Sequence, residues 1–288
     1  MQRINLLLII LILICSTFTL AQKENAGTKK IGICLSGGGA LGYAHIGALQ
    51  ALEEAGIKPD YISGTSMGSL VGVLYAAGYS PLEILDMIKK EKTYRLGSIF
   101  KLDLTRFTGY SKQKKLEKIL NKYIPYNNFD SLDIKFCTCC IDFRNNKVLL
   151  TNKGDHLKEF TIASASIPVL FENYVIEGVE YVDGGLRNNF PIEPLIEGKC
   201  DVIIGINVIN FTPSPCTVSK KEATYHAYTI IEEEISGEKF GKCDFYIPIK
   251  GLNSDKFSLF SFKKYREIYQ IGYDNTKAYI ASHPEIKK

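Results

Sequence analysis

The chain has 288 residues, of which 45% are apolar and 23% charged, with a formal charge of +4. That length and balance suit one α/β domain with a substantial core, decorated at its edges, and exclude a disordered or collagen-like polymer. The basic excess is too small for the footprint of a nucleic-acid binder.

Arg3 precedes an unbroken apolar run from Leu6 to Cys15, and Ser16 to Ala21 lead into polar Gln22-Lys23-Glu24. Ten apolar residues cover only about 15 Å as a helix against a hydrocarbon core of about 30 Å, so a spanning anchor is disfavoured. Thr19 and Ala21 suit the small-residue positions before a cut, so residues 1–21 read as a secretory signal peptide. The expectation is export to a periplasmic or extracellular compartment, with membrane association left open. Residues 22–29 would be a flexible N-terminus and 30–282 the folded domain.

Ile31-Gly32-Ile33-Cys34-Leu35 reads as a strand, and Ile46, Leu49 and Leu52 give a helix that Gly56 ends. Between them stand Gly37, Gly38 and Gly39, then Gly42. Glycines before a helix leave N–H groups uncovered where the helix dipole favours negative charge, which makes an anion site. One use is an oxyanion hole. Another is a dinucleotide, since Gly37, Gly39 and Gly42 also satisfy G-x-G-x-x-G. That use expects an acidic residue at the end of the second strand, where this chain runs into Gly64-Thr65-Ser66 instead, with Asp60 at the strand's start. A phosphate loop is disfavoured, because Tyr43 and Ala44 stand where Lys and Ser/Thr are needed.

The second strand, Asp60 to Ser63, meets the pentapeptide Gly64-Thr65-Ser66-Met67-Gly68, and Leu70, Val71, Val73, Leu74, Ala76 and Ala77 form a helical stripe closed by Gly78. Gly-x-Ser-x-Gly between strand and helix describes a nucleophile elbow, with Ser66 at the turn. Alternating strands and helices from Ile31 to Ala77 imply parallel β-α units around a central sheet.

Further helices are expected over Ser80 to Lys92 and over Ser111 to Tyr123, the second with Leu116, Leu120 and Tyr123 inward and Lys112, Lys114, Lys115 and Lys118 outward. A hairpin follows, Asn145-Asn146 turning between Phe136 to Phe143 and Val148 to Leu150. Cys137, Cys139 and Cys140 lie on its first strand without a second ligand pair at zinc spacing, so no metal is expected. Removing the leader leaves seven cysteines, an odd number that forbids complete internal pairing.

Tyr181-Val182-Asp183-Gly184-Gly185 ends an extended stretch with a carboxylate. A serine hydroxyl needs a neighbouring base, and Asp183 can supply one if its site is partly desolvated, since an ordinary carboxylate is a weak base. A serine, acid, histidine order through His226 or His283 is also open on the residues alone, with His45 in the first helix and His156 in a polar loop, although for any one histidine a surface or core role is the better reading. Asn210 to Pro215 marks a surface loop, and a strand from Asp201 to Val208 precedes a closing strand and helix after Cys243.

With its glycine loop, GTSMG elbow and DGG triplet in this order, the chain resembles the patatin-like phospholipases from about Ile31 to Ile280. LEEAGIKPDYISGTSMG, ASASIPVLF at Ala163 to Phe171 and DGGLRNNFPIEP carry the likeness further. The resemblance implies a three-layer α/β sandwich with a central, mostly parallel sheet. It implies a Ser-Asp dyad without histidine, Ser66 as nucleophile and Asp183 as base. The oxyanion hole would be the backbone of Gly37, Gly38 and Gly39, and Gly42, Gly64, Gly68, Gly184 and Gly185 would complete the motifs. Substrates would be phospholipids, lysophospholipids or other lipid esters met at a membrane surface, without cofactor, metal or nucleic acid, in a pocket walled by Ile167, Pro168, Val169 and Leu170. Leu41 departs from the pattern, which usually has Arg or Lys there. That substitution removes a positive charge from the loop, and it keeps open a lipid-binding or partner-binding fold with weak or no catalysis.

Overall fold

The computed structural model describes residues 29–94, 113–168, 171–209, 220–252 and 256–287, with the side chains of 220–228 left aside. The signal peptide, Ser111-Lys112, the loop at 210–215, Val169-Leu170 and the side chain of His226 therefore lie outside the described residues.

A single sheet organises the chain. β1 (Ile31–Leu35) lies between β2 (Tyr61–Thr65) and β7 (Val202–Asn207), and β3 (Lys135–Asp142) and β8 (Phe245–Pro248) continue the sheet outward, all four pairings parallel. Antiparallel strands finish the β3 side: β4 (Lys147–Thr151) and β6 (Val179–Asp183) both pair with β3, and β5 (Tyr174–Ile176) pairs with β6. The central strands are buried along nearly their whole length because both faces are covered, as parallel sheets require.

Alternate residues sort to the two faces. Ile33, Leu35, Ile62, Phe136, Ile204 and Ile206 face one core, with Ile46, Leu49 and Leu52 of α1 (Tyr43–Glu54), Val71 and Val73 of α2 (Met67–Ala76), and Ile268 and Ile280 of α8 (Tyr265–Ser282). Cys34, Tyr61, Cys137 and Ile203 face the other, with Leu195 of α6 (Glu193–Glu197) and Phe240 of α7 (Lys220–Phe240). The result is a three-layer α/β sandwich.

α3 (Pro81–Lys90) begins where its sequence says it should. The Ser80 hydroxyl accepts the Glu83 N–H at 3.4 Å, the Glu83 carboxylate accepts the Ser80 N–H at 2.8 Å, and Pro81 occupies the first turn. α4 (Lys114–Tyr123) buries Ile119 and Leu120 and leaves Lys114, Lys118 and Lys122 exposed, with Lys115 half-buried. The hairpin turns at the expected asparagines, with Asn146 at φ 50° and Asp142 accepting the Asn145 N–H at 3.0 Å. α5 (Leu157–Ser164) packs over β3 and β6.

One register decides where the chemistry lies. β4 covers positions 138–142 of β3 on one edge, so β6, which covers 140–142, must use the edge that β2 occupies along 135–139. β2 arrives with Thr65 opposite Cys139, and β6 arrives from the other direction with Asp183 opposite Cys140. Two strands thus meet head to head on one edge, and their C-terminal ends share a single point.

Candidate active site

Ser66 follows β2 directly and caps α2 at φ 53°, ψ −120°, a conformation that costs a non-glycine residue about 1–3 kcal/mol. The strain is sustained because the flanking glycines let the chain turn in place. A methyl group at Gly68 would strike the carbonyl oxygens of Leu35 and Ser36, and one at Gly64 would lie 2.6 Å from the carbonyl carbon of Gly68. Ser66 is 6% exposed, and its backbone N–H donates to the Ser164 hydroxyl at 2.9 Å.

Asp183 ends β6 at the facing point, 4% exposed. Its Oδ1 accepts the Gly185 N–H at 2.7 Å, and its own N–H donates to the Ser166 carbonyl at 3.0 Å. Oδ2 is buried and meets no donor in full hydrogen-bonding geometry among the described residues, although the Ser66 hydroxyl stands near enough to the carboxylate to favour its charged form. A long catalytic hydrogen bond is ordinary in an unliganded site. Burial pushes the Asp183 carboxyl up to about 7, against the smaller opposing pulls of the Ser66 hydroxyl and the Gly185 N–H. This is the desolvation a carboxylate needs to become a useful base at neutral pH.

The glycine loop lies beside this pair, and its three N–H groups are not equivalent. Gly37 donates to the Asn189 carbonyl at 3.1 Å, which removes it from the expected oxyanion donors. The N–H groups of Gly38 and Gly39 have no partner among the described residues, so they remain for an incoming anion. Gly39 sits at φ 52°, and a methyl group there would lie 2.5 Å from the Leu259 carbonyl oxygen, which itself accepts the Ala40 N–H at 2.8 Å. Behind the loop the Ser36 carbonyl is held by His45 Nε2 at 2.8 Å. Burial lowers the His45 pKa to about 4, so the ring is neutral and must carry its proton on Nε2 to make that bond. Leu41 is fully buried and packs within the main core.

Of the remaining motif glycines, Gly42 backs onto the Met67 side chain and Gly184 onto the Cys139 carbonyl, while Gly185 supplies the Asp183 bond already named. Among the described side chains no imidazole bonds to Ser66 or Asp183. His45 serves the glycine loop, His156 faces Glu177 at 3.2 Å, and His283 stacks on Tyr279 with ring centroids 4.1 Å apart.

The dinucleotide reading loses its footing. Gly39, whose bare Cα would have to admit a pyrophosphate, faces the Leu259 carbonyl, and Asp60 spends a carboxylate oxygen on the Ile31 N–H at 2.7 Å. Among the described residues no group of three or more His, Cys, Asp or Glu stands ready to hold a metal. Cys137, Cys139 and Cys140 are buried in β3, and burial pushes their thiols up.

Several supporting residues escaped the sequence reading. Thr65 donates its hydroxyl to the Asn188 carbonyl at 2.9 Å, and Lys239 donates to Asn188 Oδ1 at 2.7 Å and pairs with Glu193 at 2.6 Å. Glu232, 5% exposed on α7, lies beside Asn189 with its carboxyl pushed up by burial to about 7. Two adjacent asparagines in the DGGLRNN run were the available signal, since buried amides are hydrogen-bonded as a rule.

A family model described as patatin-like phospholipase matches residues 33–196. Among curated relatives, lysophospholipase nte1 of Aspergillus niger is 27% identical over 284 residues, and lysophospholipase NTE1 of Cryptococcus neoformans var. neoformans serotype D is 33% identical over 183 residues. The first alignment covers 88% of this chain and 18% of the relative, the second 62% and 11%. This chain thus spans under a fifth of the length of these relatives. The solved structure of VipD from Legionella pneumophila aligns at a TM-score of 0.49 and 15% identity, over 88% of this chain and 67% of that one.

Proposed function

This chain belongs to the patatin-like phospholipase family, and on that premise we propose that it hydrolyses carboxylic ester bonds of lipids through a Ser66–Asp183 dyad. The observation that carries the reading is the head-to-head meeting of β2 and β6, which sets the Ser66 hydroxyl beside a buried carboxyl poised near pH 7.

The reaction runs in two halves. Asp183 takes the proton from Ser66 Oγ as that oxygen attacks the ester carbonyl, and the Gly38 and Gly39 N–H groups receive the negative charge that develops on the carbonyl oxygen. Collapse expels the alcohol, which leaves with the proton from Asp183, and an acyl group remains on Ser66. Water then attacks the acyl carbonyl while Asp183 accepts its proton, and Asp183 hands that proton to Ser66 Oγ as the acyl–oxygen bond breaks and the fatty acid departs.

Phospholipids and lysophospholipids are the proposed substrates, the second favoured by the lysophospholipase relatives. Exposed apolar side chains near the site support contact with a lipid surface. Leu186 lies three residues after Asp183, Phe260 follows the Leu259 that abuts Gly39, and Ile230 and Ile231 precede Glu232; all four are exposed. The leader reading adds export, and N-terminal sequencing of secreted protein that begins at Gln22 would support it.

The test is hydrolysis of a short-chain nitrophenyl ester and of lysophosphatidylcholine by the wild type, Ser66→Ala, Asp183→Asn and His226→Ala. Two inactive variants and one active one are expected, with losses on the order of 10⁶-fold for Ser66→Ala. An inactive, folded His226→Ala would replace the dyad by a triad. A wild type that neither hydrolyses these esters nor reacts with a fluorophosphonate probe would favour the non-catalytic binding fold.

A further inference from the structure

We infer that Ser164, at the end of α5, is a positioning residue whose hydroxyl holds the strained elbow in its reactive shape. The inference rests on Ser66 being the nucleophile and goes beyond it, since Ser164 touches no reacting atom.

β2 and β6 meet end to end, so no ladder hydrogen bond joins the chain at Ser66 to the chain at Asp183. Something else must fix the gap between them. The segment Ser164-Ala165-Ser166 does so from one side: the Ser164 hydroxyl accepts the Ser66 N–H at 2.9 Å, and the Ser166 carbonyl accepts the Asp183 N–H at 3.0 Å. One short stretch of backbone is therefore tied to both halves of the dyad.

The segment is itself anchored. The Ser166 hydroxyl donates to the Ile162 carbonyl at 2.8 Å and accepts from Gln113 at 3.0 Å, and Gln113 also donates to the Glu172 carbonyl at 2.7 Å. Ser164 and Ser166 are both fully buried, so water offers no substitute partner.

The energetic balance at Ser66 makes the hydroxyl decisive. Its left-handed φ costs about as much as a buried N–H loses when it has no acceptor, so removing the acceptor removes the term that offsets the strain. The elbow then relaxes, and Oγ leaves its line with Asp183 and the glycine loop. Displacements on the order of 1 Å at a reacting atom cost about 100-fold in rate.

The experiment compares Ser164→Thr with Ser164→Val, two side chains of one shape of which only threonine keeps the acceptor, alongside Ser164→Ala, Ser66→Ala and Thr161→Val. Thr161 is an equally buried hydroxyl on the same helix, bonded among the described residues only to the Leu157 carbonyl at 2.7 Å, and controls for damage to α5. Steady-state kinetics on the nitrophenyl ester and the rate of fluorophosphonate labelling are read with the thermal midpoint of each protein. Ser164→Ala and Ser164→Val should lose at least tenfold in kcat and in labelling rate with KM within about twofold, while Ser164→Thr keeps most of the activity and Thr161→Val keeps its kcat. Equal rates for the threonine and valine variants at matched stability would overturn the inference, as would equal kcat losses in Thr161→Val and Ser164→Ala. Activity surviving in Ser66→Ala would instead refute the nucleophile assignment beneath it.

Discussion

Replacing Asp183 by asparagine should stabilise the fold while abolishing its chemistry, and the stabilisation should have a distinctive pH dependence. The native carboxyl titrates near 7, whereas in the unfolded chain it returns to about 3.9. Between those values the native state holds a proton that the unfolded state has released, so the wild type loses about 1.4 kcal/mol of stability per pH unit as pH rises. The contribution is fully present below about pH 4 and gone above about pH 7, a total of roughly 4 kcal/mol. Asparagine has nearly the same shape and does not titrate. The difference in urea-unfolding free energy between Asp183→Asn and wild type should therefore be smallest at pH 4, climb through pH 5 and 6, and level off above pH 7. Glu232 is raised into the same range but is present in both proteins, so it cancels in the difference. Ester hydrolysis by the variant should be lost at every pH. A stability difference that stays constant within about 0.5 kcal/mol from pH 4 to 8 would mean that the carboxyl is not desolvated, and the argument for aspartate as the base would fail with it.

The same titration predicts kcat/KM of the wild type, because the base must be ionised before it can accept a proton: the rate should rise with unit slope below about pH 7 and flatten above it. Gly68→Ala should destabilise the protein by about 3 kcal/mol or more, since its methyl group meets the carbonyls of Leu35 and Ser36, and chemical denaturation would measure the loss. Leu41→Arg restores the charge the family usually carries, yet here it would bury an unpaired guanidinium in the main core. It should lower stability by about 3 kcal/mol or more without raising kcat, and a variant both stable and faster would show that the loop has room to turn this side chain outward.

Much of the architecture was readable before any coordinates because its signals are local. β1 occupies the five residues its apolar run marks out, the hairpin turns at Asn145-Asn146, and α3 starts directly after Ser80, where the sequence places its start. Each of these depends on side-chain period, turn chemistry or a cap within a few residues. The roles within the glycine loop were less accessible. Gly37 looks like its neighbours in sequence, and only the return of the chain at Asn189 commits its N–H elsewhere. Leu41 reads as a missing charge beside the oxyanion site, whereas the turn after Gly39 carries it into the core. Ser164 lies within a recognised stretch, but nothing in ASASIP announces which hydroxyl will meet the elbow.

By itself the sequence determined the elbow, the glycine loop and the β-α alternation that carries them, because close-range sterics and hydrogen bonding act between residues near in the chain. Tertiary structure alone decided that β2 and β6 share one edge of β3 and end against each other. It also decided the ionisation of Asp183, since desolvation is a property of everything packed around a carboxyl and of no residue taken singly.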